Sequence, residues 1–211
     1  MAKAYFDAYM KFSQATVPYR KTLPAAMITS APSEDGWVKW QPIPGTLTMT
    51  DYENLEKRFG VTLPPSFIEW HRSFYFLDGD CGIIRLPESN PAQPLKELIV
   101  NFDWEIGREL IAEKLYPFGE EGNDAGPLVF DGRTLVPGNE FPIRIYDQEE
   151  GNPPEGLSEI IFSSFPKLLE CITYFLEQRA HKETAEIIPA FFDIDPTGAG
   201  GPGRTYWEAW V

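Results

Sequence analysis

The stretch TMTDYENLEKRFGVTLPPSFIEWHRSFYF, residues 48–76, reads as two short helices joined at a fixed corner. Thr50 and Glu53 have the spacing of a capping box, in which the threonine oxygen and the glutamate each satisfy a backbone N–H that a helix start leaves unpaired. Leu55 and Phe59 fall on one face. Gly60 stands where a helix closes in a left-handed residue, and Pro64-Pro65 opens the next helix, since proline in a first turn forfeits no hydrogen bond. Phe67, Trp70 and Phe74 mark the apolar face of that second helix. The corner is a packing element with almost nothing reactive in it, and His71, beside Trp70, is read as an exposed surface histidine.

Toward the N-terminus, residues 1–44 read as a helix over 3–14 and then an irregular lead-in punctuated by Pro18, Pro24, Pro32, Pro42 and Pro44, with Trp37 and Trp40 among them. Beyond the corner, GIIRLP at 82–87 reads as a short strand. Leu95, Ile99, Phe102, Ile106, Leu110 and Ile111 keep near-helical spacing, which predicts one long helix over 95–115, weakened by Asn101 and Gly107. Strands at about 115–118, 127–130 and 141–146 follow, with tight glycine-bearing acidic turns between them, the pattern of an antiparallel meander. Ser163 or Ser164 then caps an amphipathic helix over 164–178, with Pro166 in its first turn and Leu168, Leu169, Ile172, Phe175 and Leu176 as its buried stripe. Helices before and after a run of strands predict an α+β fold, a mostly antiparallel sheet with helices packed on one face.

A chain of 211 residues suits one well-filled core with extensions, on a prior of about 150 residues per domain. Its 43% hydrophobic and 14% aromatic content argues against disorder. No apolar run approaches the ~18 residues of a spanning helix. The start, MAKAYFDAYMKF, lacks the apolar stretch of a secretory signal, so a cytoplasmic location is expected. Cys81 and Cys171 sit among apolar residues with neither CxxC spacing nor a nearby histidine, and read as buried structural thiols. The charge is uneven. Residues 1–44 carry five basic and three acidic side chains, whereas residues 45–211 carry 13 and 29. Such a surface repels nucleic acid and anionic membrane and attracts a basic partner, although acidity also serves plain solubility.

LEKRFG (55–60), LPPSF (63–67) and Trp70, followed by PFGEEGNDAGPLVFDG (117–132) and FPIRIYDQEEG (141–151), resemble the SUKH superfamily, which includes fungal cell-wall synthesis regulators and many bacterial immunity proteins that neutralise toxin domains. The resemblance covers roughly residues 45–180 and carries no invariant chemical group. It implies a SUKH-like α+β domain over 45–181, with an N-terminal extension over 1–44 and a glycine-rich, aromatic tail over 182–211.

Other motifs fail on their surroundings. GAGGPG (198–203) has the letters GxGxxG, but Pro202 lies inside it and eight residues follow, too few for the strand and helix of a dinucleotide site, so it reads as a flexible linker. FFDIDPT (191–197) resembles the nucleophile motif of haloacid-dehalogenase phosphatases, with Asp193 as nucleophile and Asp195 as acid and base. The downstream lysine and acidic residues that this chemistry needs are missing. Asp78 and Asp80 stand where a calcium loop would open, yet Gly82 and Ser89 occupy its later ligand positions. No catalytic set, metal or cofactor is expected. The tail aromatics Tyr206, Trp207 and Trp210 dock either on their own domain or on a partner.

What remains is acid on two turns. Glu120, Glu121 and Asp124 occupy the first, and Asp147, Glu149 and Glu150 the second. Glycine, asparagine and aspartate are what any such turn requires. In a meander, however, one end of the sheet gathers both turns into a single negative patch. These six residues are the expected partner-binding site of a non-enzymatic protein-binding domain. The resemblance implies an immunity protein that blocks a basic toxin domain, such as a nuclease, by stoichiometric binding; the alternative is a regulatory scaffold for endogenous proteins.

Overall fold

The computed structural model describes residues 1–12 and 15–211. Helix α1 (Ala2–Phe12) buries Tyr5, Phe6, Ala8 and Tyr9 along one face; the end of the predicted helix, residues 13 and 14, lies outside the described residues. The proline-spaced lead-in then forms an antiparallel hairpin of β1 (Thr16–Pro18) and β2 (Trp37–Lys39), followed by the short strand β3 (Ile43–Pro44).

At the corner, α2 (Met49–Phe59) starts two residues earlier than expected. Thr48, extended at φ −106° and ψ 167°, is the cap, and its N–H and hydroxyl both donate to Asp51 Oδ2 at 2.7 Å. Thr50 is already helical, so the Thr50/Glu53 capping box is corrected to Thr48/Asp51. Gly60 ends α2 at φ 69° as anticipated. Glu56 then accepts the Leu63 N–H at 2.7 Å and fixes the bend, and Pro65 opens α3 (Pro65–Ser73). Phe74 departs from the helical stripe, because it begins β4 (Phe74–Tyr75) against β3.

Next come β5 (Ile84–Arg85), α4 (Lys96–Asp103) and α5 (Glu105–Ala112). The predicted long helix is thus two helices, broken at Trp104, whose ψ of 153° is extended. Gly107 is the reason the second piece can turn back. A Cβ there would fall 1.9 Å from the Asn101 carbonyl oxygen, so only glycine lets the first turn of α5 close on α4.

The main sheet continues with β6 (Leu115–Glu121), β7 (Pro127–Asp131) and β8 (Ile143–Ile145), antiparallel in the order β5-β6-β7-β8, which gives the expected α+β class. Alternation along the strands divides the burial. Phe118, Leu128, Phe130 and Ile143 join the large core under α3 and α6 (Phe165–Gln178), while Leu115, Val129 and Tyr146 meet Leu110 of α5 in a smaller cluster on the opposite face.

Short helices α7 (Thr184–Ile187), α8 (Pro189–Ile194) and α9 (Arg204–Glu208) finish the chain. The large core takes Tyr5 and Phe6 from the N-terminal stretch and Phe191 and Trp207 from the tail. Trp207 is fully buried between Phe162 and Phe191, and its Nε1–H donates to the Ile161 carbonyl at 2.9 Å. The GAGGPG segment is accordingly no flexible linker but a folded turn, closed by Gly203 N–H to Gly198 O at 2.9 Å and held by Asp195. Both cysteines are buried and free; burial pushes the Cys81 thiol up to about 12. No helix of the described chain is long and apolar enough to cross a membrane.

Candidate functional site: an acidic cavity at one end of the sheet

In an antiparallel order, the turn after β6 and the loop after β8 emerge at the same end of the sheet. Backbone contact then draws them together. Tyr146 N–H donates to the Pro127 carbonyl at 3.0 Å. Gly126, at φ 138°, lies so near β8 that a Cβ would stand 2.1 Å from the Tyr146 carbonyl oxygen, so only glycine permits this approach.

Between these turns and the α4–α5 elbow is a cavity of about 540 Å³. Glu120, Glu121, Asp124, Asp147 and Glu149 line it, and no lysine, arginine or histidine does. Five of the six sequence-predicted site residues therefore share one cavity; Glu150 is exposed and outside its lining. The other wall is apolar, with Ile106 and Leu110 inside and Val100 and Trp104, each 54% exposed, at the edge. Val100 and Trp104 lie off the apolar stripe that predicted the helix, and that is the sequence signal which would have marked them as surface anchors.

The five carboxylates differ in kind. Glu120, Asp124 and Glu149 are exposed and Asp147 is half-buried, whereas Glu121 is 4% exposed. Glu121 Oε2 accepts the N–H groups of Asn123 at 2.5 Å and Ala125 at 3.3 Å, and Oε1 accepts the Tyr206 hydroxyl at 2.8 Å. All three donors are neutral. Its negative charge is organised without being cancelled, so it adds to the potential inside the cavity.

A smaller groove of about 280 Å³ continues past Val100 and Glu120 toward Arg85, Glu88, Lys96 and Glu97. The Glu88 N–H donates to Glu97 Oε2 at 2.6 Å, with Arg85 3.8 Å from Glu97. Burial, and secondarily the Glu97 carboxylate, raise the Glu88 carboxyl from 4.5 to about 7. A carboxyl whose folded pKa is raised costs stability only where it is ionised. Glu88→Gln is therefore expected to match wild type below pH 4.5 and gain a growing advantage in urea midpoint up to pH 7, flat beyond; a constant difference across that range would rule this out.

The remaining reactive side chains serve packing. His71 is corrected from exposed to fully buried. Its Nδ1 lies 2.7 Å from the Tyr52 hydroxyl, and burial lowers its pKa to about 4, so it is a neutral core residue at the heart of the corner. Asp78 and Asp80 close local turns through the N–H groups of Asp80 and Gly82. Asp195 is fully buried and accepts from Ser163 N–H and Oγ–H at 2.8 and 2.6 Å and from the N–H groups of Gly198 and Ala199, while Asp193 faces solvent. Two further carboxylate hubs escaped the sequence reading. Glu140 accepts the N–H and hydroxyl of Ser66 at the start of α3, and Asp131 holds Arg133 and Arg144 at 2.7 and 2.9 Å. Among the described residues, no group of three or more histidine, cysteine or carboxylate side chains is placed to hold a metal ion.

Fold and site together define an α+β domain with a preformed acidic cavity edged by an exposed tryptophan. No family model matches the chain, and no curated protein matches it.

Proposed function

We propose that the protein is a non-enzymatic binding domain whose acidic cavity captures a basic protein partner, in the manner of a SUKH-like immunity protein that neutralises a toxin domain by stoichiometric occupancy. The observation that carries this reading is a cavity with five carboxylates, no cation and a half-exposed tryptophan at its edge. An arginine side chain fits such a surface best. Its planar fork pairs with carboxylates while its face stacks on an indole, and Trp and Arg are the residues most often found at binding hot spots. A nuclease toxin must be basic to grip phosphates, so an acidic surface competes for the same groups.

Complementary charge acts chiefly on encounter rate and on the exclusion of wrong partners. The test begins with capture of the partner from native cells, its identification, and a check that co-expression relieves its toxicity. The combined variant Glu120→Gln, Asp124→Asn, Asp147→Asn and Glu149→Gln is then expected to slow association roughly tenfold to a hundredfold at low salt and to flatten its salt dependence. An unchanged association rate would remove the cavity from the binding site. Recovery of several endogenous proteins, none of them toxic, would favour the scaffold reading.

A further inference from the structure

We propose that Tyr206 is a positioning residue of this partner site, holding the acidic turn in shape through Glu121 from 85 positions along the chain. This deepens the reading of the cavity as the partner site and rests on it. The turn 122–126 is tied at its ends, by the Glu121 N–H to the Gly126 carbonyl and the Gly122 N–H to the Ile83 carbonyl, both at 3.0 Å, but its tip is more loosely held. Asn123 and Asp124 are exposed, Asp124 adopts the left-handed φ of 61°, and the backbone bond at the tip, Asp124 N–H to Glu121 O, is long at 3.4 Å. The tip is held by the Glu121 carboxylate, whose Oε2 accepts the Asn123 and Ala125 N–H groups.

Glu121 in turn needs a donor on its other oxygen. No ion pair of the described residues includes Glu121, so without Tyr206 a carboxylate that is 4% exposed would keep one oxygen unpaired beside the cavity. Burial, and then the neighbouring Glu121 charge, hold the phenol above its ordinary range, which keeps it protonated and donating. Tyr206 is itself fixed, because the next residue, Trp207, is locked in the core. The C-terminal segment is therefore a strut under the wall that carries Asp124. By linkage, a partner that grips the turn tightens the docking of the tail, and a docked tail favours the partner.

Tyr206→Phe in the full chain keeps the ring and removes only the donor. Exchange of the Asn123 and Ala125 amides, read residue by residue, is expected to quicken roughly tenfold to a hundredfold, the range for losing a hydrogen bond to a charged group. Amides of α6 and β7 should keep their wild-type rates. Binding of a hexa-arginine peptide to the cavity should weaken in the same variant. Unchanged exchange at Asn123 and Ala125 overturns the proposal, and so does acceleration spread over the whole chain, which would make Tyr206 a general prop. If the two amides quicken while hexa-arginine binds neither protein, the strut stands and the reading of the cavity as a cation site falls.

Discussion

Asp195→Ala is expected to unfold at a markedly lower urea concentration than wild type, with a loss of about 3–5 kcal/mol, the range for removing one member of a buried charged network. The fully buried carboxylate receives the Ser163 N–H and hydroxyl and the N–H groups of Gly198 and Ala199. Alanine removes the side-chain acceptor of all four donors, with the Gly198 and Ala199 amides buried and Ser163 half-buried. Asparagine restores one acceptor only, since its NH2 must face donors on the other side, so it should recover part of the loss. The carboxylate ties the start of α6 to the turn that delivers Trp207, so early exposure of the indole should accompany unfolding. Asp193→Asn, at an exposed position two residues away, is the control and should change stability by less than about 0.5 kcal/mol. Equal stability of wild type and Asp195→Ala would show that the tail is not anchored through this residue.

Phe67→Ala is expected to cost about 3–5 kcal/mol, the range for truncating a fully buried phenylalanine. Its ring centroid lies 5.8 Å from Trp70, 5.7 Å from Phe118, 5.4 Å from Phe130 and 5.1 Å from Phe165, so one side chain joins α3, the sheet and α6. The neighbours belong to three rigid elements and cannot collapse into the gap, which places the cost at the upper part of the range. Against a typical total of 5–15 kcal/mol this is a large share of the fold. Val100→Ala, at a half-exposed edge position, should leave stability nearly unchanged. Near-equal urea midpoints for Phe67→Ala and wild type would mean that the corner is not the keystone of the core.

The two-helix corner was legible because its signals are local. Gly60, Pro65 and the apolar spacing of Leu55, Phe67 and Trp70 act within a few residues of themselves. The capping pair lies two residues earlier than its spacing suggested, since Thr48-Asp51 and Thr50-Glu53 have the same spacing and only backbone angles tell them apart. His71 was misjudged for a related reason. Helical periodicity gives a direction around the axis but not how wide the buried face is, and in α3 that face takes in Phe67, Ile68, Trp70 and His71 together, leaving Pro65 and Glu69 exposed. The break at Trp104 was equally hidden, because apolar spacing continues through it.

The acidic turns were legible as composition, and their position at one end of a meander followed from strand order. Their union with the α4–α5 elbow did not follow, since it depends on Gly107 and Gly126 sitting where a Cβ would strike another backbone. Glu121 and Glu149 look alike in sequence, yet one is a buried hub and the other a free surface charge.

By itself the sequence determined the α+β class, the corner, the alternation of the strands and the concentration of negative charge, because each depends on propensity or period along a few consecutive residues. Only the tertiary structure decided which carboxylates are buried hubs and which are exposed, that GAGGPG is a packed turn, and that Tyr206 donates to Glu121, 85 positions earlier. Those outcomes depend on hydrogen-bond donors and backbone approaches supplied by distant segments. Spacing along the chain does not encode them.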